Sequence, residues 1–328
     1  MSLAEQYFQQ WINLADPRLG AEVVLATDEF FAPRERLIKP EPPRFIADRY
    51  DDHGKWMDGW ESRRRRDEKH DHCVVALGLP GIIKGFDVDT SHFTGNFPPQ
   101  ISIEASQSRA GEAKDWIRLV ARCDIEGDQH NHFQINDDRV WHKLRLHIYP
   151  DGGVARLRVY GVVARDWAAM DPDVAHDLAA AENGGRVLLC NDMHFGHMHN
   201  LIAPGPGINM GDGWETRRRR TPGNDWAVLA LACTGRIERV VVDTAFFKGN
   251  YPDRFSLEAT RVADPTAGMD ALDTLEWQNI TPELKLGADT EHCFAEEIFA
   301  HDPVNLARLN IFPDGGISRL RLFGRPCP

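Results

Sequence analysis

The 328-residue sequence is short of the signals that announce most biochemical classes. No apolar run approaches the ~20 residues needed to span a bilayer. The opening, MSLAEQYFQQWINLADP, has neither the basic start nor the apolar centre of a secretion signal. None of the cysteines (Cys73, Cys123, Cys190, Cys233, Cys293, Cys327) forms a CxxC pair, and most lie in apolar runs as small core residues, as expected of a reduced cytoplasmic protein. Positive charge is also in deficit: 38 Lys and Arg against 50 Asp and Glu give a net −12, which repels nucleic acid and acidic membrane surfaces. No G-x-S-x-G, phosphate loop or dinucleotide fingerprint occurs. Helical signals are scarce. Residues 2–14 suit a short helix, and the Ala- and Asp-rich stretch 166–185, stopped by Asn-Gly-Gly, reads as a linker.

What is present is a duplication. Residues 58–66 read DGWESRRRR and residues 212–220 read DGWETRRRR. Laying 58–105 over 212–259 without a gap gives 24 identities in 48 positions. HIYPDGGVARLRVYG (147–161) matches NIFPDGGISRLRLFG (310–324) at 9 of 15, and upstream TDEFF (27–31) faces NDMHF (191–195). Three blocks in one order are the mark of a duplicated unit, and a unit of roughly 150 residues can bury a core of its own. The repeats are set at 1–165 and 186–328, with 166–185 between them.

Each repeat is written in strands. CVVALGL (73–79) and IIKGFDVDT (82–90), with AVLALAC (227–233) and IERVVVDT (237–244), are short apolar runs bounded by turn residues. ARLRVY and SRLRLF alternate, which puts Leu and Val toward a core and Arg outward. PDGG between two such runs predicts a tight hairpin. The fold expected is all-β: two tandem jelly-roll β-sandwiches.

The candidate chemistry lies in the polar residues that survived duplication. On a strand, four arginines place Arg63 and Arg65 on one face, Arg64 and Arg66 on the other. One pair then needs carboxylates or a bound anion; an ion-pair network is as good a reading as a ligand site. Asp58, Glu61, Asp89 and Glu104 recur as Asp212, Glu215, Asp243 and Glu258. Asp89 and Asp243 end apolar strands, where sites are built, although Asp-Thr equally caps a turn. Gly95-Asn96 and Gly249-Asn250 look like loop tips. Together the set suits a small anion rich in N–H and C=O groups. The histidines are unequal: His92 is a candidate proton carrier whose counterpart is Phe246, and His194, His197 and His199 form an HxxHxH loop with weak metal-ligand spacing.

These stretches, with DVDTSHFTGNFPP and HFGHMHNLIAPG, resemble the allantoicase family over nearly the whole chain. The resemblance implies galactose-binding-like jelly rolls and hydrolysis of allantoate to ureidoglycolate and urea in purine degradation. On that reading Asp89, His92, Asp243, Glu61 and Glu215 are candidates for proton transfer. Arg63, Arg65, Arg217, Arg219, Asn96, Asn250, Glu104 and Glu258 are candidates for holding substrate. No cofactor is required, although a divalent metal is admitted; a homo-oligomer is expected, and the asymmetry of the repeats favours unequal roles. The other class is a carbohydrate- or small-anion-binding sandwich without turnover.

Overall fold

The computed structural model describes residues 7–110, 115–265 and 274–327. Packing divides the chain into two units, Asn13–Ala164 and Met1–Ile12 joined with Arg165–Pro328. Of the predicted N-terminal helix, residues 7–9 are helical and 1–6 lie outside the described residues.

Both units are β-sandwiches built on one long strand. In the first unit this strand is Asp71–Asp89, and the two runs separated in the sequence reading belong to it. Its first half pairs antiparallel with Glu22–Ala26 and with Val140–Tyr149, and Gln100–Ser106 and Trp116–Asp124 extend that layer. Its second half pairs with His130–Gln134 and Arg156–Val163 in the other layer. The strand runs on through Gly78-Leu79-Pro80-Gly81 although its register shifts there, with Ala76 opposite Lys143 and Gly81 opposite Trp141. The core between the layers is made by Cys73, Val75, Ile83, Phe86, Val88, Ile101, Ile103, Leu144, Leu146, Leu157 and Val159, all fully buried. Each such aliphatic or aromatic side chain contributes about 1.5–3 kcal/mol of hydrophobic stabilisation.

The second unit repeats the plan. Asp225–Asp243 pairs in its first half with Arg186–Cys190 and Val304–Phe312, and in its second half with Glu291–Phe294 and Arg319–Pro326. Strand Arg254–Thr260 lies beside Val304–Phe312. Residues 166–185, read as a linker, contain the 3-10 turns Trp167–Ala169 and Ala181–Asn183, with Gly184 at φ 106° as the stop. They also contain the strand His176–Asp177, which pairs with Phe323 and Gly324.

The predicted PDGG hairpin is not one. Val140–Tyr149 and Arg156–Val163 lie in different layers, and the turn carries the chain from one to the other. Its hydrogen bonds go to other loops instead: Gly153 N–H donates to Asn96 O (2.7 Å) and Ser62 N–H to Gly152 O (3.1 Å). Gly152 sits at φ 139°, which favours glycine, and a Cβ on Gly153 would stand 2.0 Å from the Phe93 ring. Alternation on both sides of a turn fits a sheet-to-sheet arch as well as a hairpin.

The alternating arginines also differ from expectation. Arg156 points away from the core as predicted, yet it is only 1% exposed. Its guanidinium donates to Asp58 Oδ2 (2.8 Å), Asp58 O (2.7 Å) and Glu41 O (2.9 Å). Arg319 does the same in the second unit through Asp212 Oδ2 (2.6 Å). These pairs clamp the loop before each DGWE block onto the sandwich, which assigns Asp58 and Asp212 to architecture.

Candidate active site

The DGWE–arginine loops meet the PDGG arches, and each meeting forms a cleft. Glu61 ends the two-residue strand Trp60–Glu61, which pairs with Gly153–Val154 directly after the turn. Trp60 is wholly buried and donates its indole N–H to Asp28 O (2.8 Å), fixing the loop from below. The arginine run is not a strand: residues 62–66 are irregular, because their backbone bonds the arch rather than a neighbouring strand. Arg65 N–H, for example, donates to Asp151 Oδ2 (2.7 Å).

The cleft of the first repeat has a volume of about 530 Å³, and Phe31, Glu61, Ser62, Arg64, Arg65, Asn96, Phe97 and Asp151 are among its walls. The cleft of the second repeat, about 510 Å³, is lined at matching places by Phe195, Glu215, Thr216, Arg218, Arg219, Asn250, Tyr251 and Asp314. In the first, Asn96 Nδ2 donates to Glu61 Oε1 (2.8 Å); in the second, Asn250 makes the same bond to Glu215. Burial pushes the Glu61 carboxyl above the usual glutamate range, against the opposing hydrogen bond from Asn96. Of the expected residues, Glu61, Glu215, Asn96 and Asn250 are therefore brought together.

The arginines divide by parity. Arg63 binds Asp28 (Nη2 to Oδ2, 2.7 Å) and Arg217 binds Asp192 (2.8 Å), both on the outside. Arg65 reaches buried Asp71 and also Asp67 (2.8 Å), and Arg219 reaches buried Asp225 (2.7 Å). Arg65 and Arg219 touch the cleft walls, but these ion pairs commit their charge to the fold. Arg64 and Arg218, which the sequence reading did not select, are exposed, line the clefts, and have no ion-pair partner among the described residues. The sequence carries no mark of them, because only the fold decides that Asp67 and Asp71 hold Arg65 and leave Arg64 over.

The remaining candidates lie elsewhere. Asp89 Oδ1 accepts Ser91 N–H (2.8 Å) and Asp243 Oδ1 accepts Ala245 N–H (2.8 Å), the turn-capping alternative in both repeats. His92 occupies a positive-φ turn (70°) and its N–H donates to Asp128 Oδ1 (2.7 Å); Phe246 does the same at 72° with Asp289. The shared property is backbone shape, which explains why the ring need not match. Glu104 accepts from His147 Nε2 (3.0 Å) and lies 3.4 Å from Arg118, while Glu258 binds Arg308 and Asn310 (2.8 Å). None of these residues lines either cleft. Of the HxxHxH residues, His194 N–H donates to Asp192 Oδ1 (2.9 Å), whereas the other two serve a 3-10 turn: His197 Nδ1 accepts His199 N–H (3.2 Å), and His199 Nε2 donates to Gln9 O (2.7 Å). Burial holds the His199 imidazole neutral, with its pKa pulled down to about 3.

A carboxyl with raised proton affinity, an amide that orients it, a hydroxyl and an uncommitted guanidinium can hold a small carboxylate and exchange a proton with it. The sequence model of the allantoicase repeat matches residues 12–164 and again 176–327. A Burkholderia mallei protein named "Probable allantoicase 1" is 52% identical over 324 residues, covering 98% of this chain and 96% of its own. A "Probable allantoicase" of Pseudomonas fluorescens is 50% identical over 97% of each chain. The crystal structure of allantoicase from Saccharomyces cerevisiae superimposes with a TM-score of 0.82 at 34% identity, covering 99% of this chain and 98% of that one. With both repeats and the entire fold accounted for, the chain belongs to the allantoicase family.

Proposed function

We propose that the chain hydrolyses allantoate to ureidoglycolate and urea, and that the chemistry takes place in the Glu–Asn–Arg clefts. The observation that carries the site assignment is the recurrence of one polar set, Glu61–Asn96–Arg64 and Glu215–Asn250–Arg218, on the walls of two matching clefts. Family membership carries the substrate.

Allantoate has a carboxylate and two ureido groups on one carbon. Urea leaves when the bond between that carbon and one ureido nitrogen breaks; the nitrogen gains a proton, and water supplies the hydroxyl that the carbon keeps. Arg64 is suited to a bidentate grip on the carboxylate. Glu61, whose proton affinity burial raises, is placed to give a proton to the departing nitrogen and then, as carboxylate, to take one from water. Asn96 holds one carboxyl oxygen and so directs the other at substrate. No helix among the described residues is long and apolar enough to cross a membrane. A homo-oligomer in the cytoplasm, working without an obligatory cofactor, completes the reading; the free cysteines accord with a reduced compartment.

The test is direct. Purified protein incubated with fresh allantoate, with and without added divalent metal, is expected to release urea and ureidoglycolate in equal amounts. Urea at the uncatalysed rate under both conditions would remove the proposal. A third hollow, in the first repeat, is lined by Arg36, Lys39, Arg44, Arg49 and Trp56 and offers a rival place for a carboxylate. Arg49→Ala is expected to leave kcat/KM unchanged, and a large loss there would move the site from the cleft to this hollow.

A further inference from the structure

We propose that Asp87, His130 and His132 form a binding site for a divalent first-row transition-metal ion, separate from both clefts and confined to the first repeat. Asp87 lies on the second half of the long strand Asp71–Asp89, and the two histidines lie on the adjacent antiparallel strand His130–Gln134. Asp87 is the direct cross-strand partner of His132, and Asp89 that of His130. Side chains alternate along a strand, so Phe86 and Val88 fill the core while Asp87 and both imidazoles share the outer face. His130 Nδ1 stands 2.7 Å from Asp87 Oδ2, and His132 Nε2 stands 3.9 Å from the same oxygen. The three potential ligand atoms lie within 4.8 Å of one another. Ligands that share an ion at ~2.0–2.2 Å sit roughly 3–4 Å apart, which small rotations of these side chains reach.

A second observation points the same way. The Asp87 side chain is only 4% exposed, yet its Oδ1 has no hydrogen-bond partner among the described residues. A buried carboxylate oxygen left in that condition is destabilising, and a cation beside it removes the cost. On the neighbouring strand Arg158 stands opposite Asp87, but its guanidinium donates to the carbonyls of Lys39, Pro40 and Glu41 rather than to that oxygen. Two imidazoles and one carboxylate on one face suit zinc, cobalt, iron or manganese better than calcium or magnesium, and they leave coordination positions open. His130, half exposed, supplies the entry path. The second repeat is the internal control. The same register there holds Val241, Glu291 and Cys293, so the central carboxylate is missing.

The experiment uses the full chain stripped with a chelator, then titrated with Co²⁺ followed by visible absorption and with Zn²⁺ followed by calorimetry. One ion per chain is expected, with a d–d spectrum of a nitrogen-and-oxygen site and a zinc-dependent rise in Tm. His130→Ala and His132→Ala are each expected to weaken binding about tenfold or more and to abolish the rise in Tm, while still unfolding cooperatively. His197→Ala and His70→Ala are expected to bind as the wild type does. Absence of saturable Co²⁺ binding, binding unchanged in both His130→Ala and His132→Ala, or binding lost in either control would each overturn the proposal. Asp87→Asn sharpens the result where it folds, but the histidine variants decide it.

Discussion

At the level of single residues, the arginine run assigns different work to adjacent, chemically identical side chains. Arg63 and Arg65 neutralise aspartates and Arg64 faces the cleft. Arg64→Lys keeps the charge but loses the planar fork, so steady-state kinetics should show kcat/KM falling about tenfold or more. Arg63→Lys, on an exposed pair worth about 0–1 kcal/mol, should change neither activity nor Tm appreciably. Equal losses in both would return the run to a purely structural role. Glu61 makes a second prediction. Its folded-state pKa is raised, so the neutral form is favoured by folding; that contribution is present below the unfolded glutamate pKa and is lost as pH rises through the folded value. Glu61→Gln should therefore be at least as stable as wild type at pH 7, with the difference fading toward pH 4, while turnover collapses. Denaturant unfolding at several pH values checks it, and a variant less stable at pH 7 than at pH 4 relative to wild type would contradict the assignment. Glu61, Asn96 and their counterparts were legible in the sequence because polar identity persisted through duplication. Arg64 was hidden because identity alone cannot say which of four arginines is already spoken for.

At the level of elements, the strands were readable from alternation and the connections were not. PDGG is conformationally suited to a turn, but whether the next strand returns beside the last or crosses to the opposite layer depends on partners distant in sequence, such as Asn96 and Ser62 bonding the arch. The same arch holds Phe93 against Gly153. Gly153→Ala should destabilise the protein by about 1–3 kcal/mol through overpacking, with Gly316→Ala, whose Cβ would stand 1.9 Å from the Phe247 ring, similar in thermal unfolding. A neutral effect would mean that the rings move freely. The buried clamp is stiffer. Removing Asp71 leaves Arg65 without its buried partner, and the loss of one member of such a pair typically costs about 3–5 kcal/mol. Part of that is offset by Asp67, so Asp71→Asn should fall below this range and Asp225→Asn should cost more, because Thr221 replaces Asp67 in the second repeat. The opposite order in equilibrium unfolding would show that Asp67 contributes nothing.

At the level of the whole molecule, duplication produced two copies of one cleft and then let them drift. The polar set of Glu, Asn and Arg is shared, whereas Phe97 faces Tyr251 and Pro99 faces Asp253 across the comparison. The first repeat also has ten more residues between its cleft phenylalanine and its DGWE block, since Phe31 to Asp58 spans 27 positions and Phe195 to Asp212 spans 17. That extra stretch includes the hairpin Tyr50–Asp51 and Gly54–Lys55, and residues from it wall the basic hollow. This drift, with Glu61 more deeply buried than Glu215, is the ground for proposing unequal roles. The single variants Glu61→Gln and Glu215→Gln should accordingly differ in turnover by about tenfold, roughly 1.4 kcal/mol of transition-state stabilisation. The most direct test of the account is urea release from allantoate by the wild type and by the Glu61→Gln/Glu215→Gln double variant at matched, verified folding. The account predicts urea from the wild type and a loss of about a hundredfold or more in the double variant. A folded double variant that turns over allantoate at the wild-type rate would contradict it.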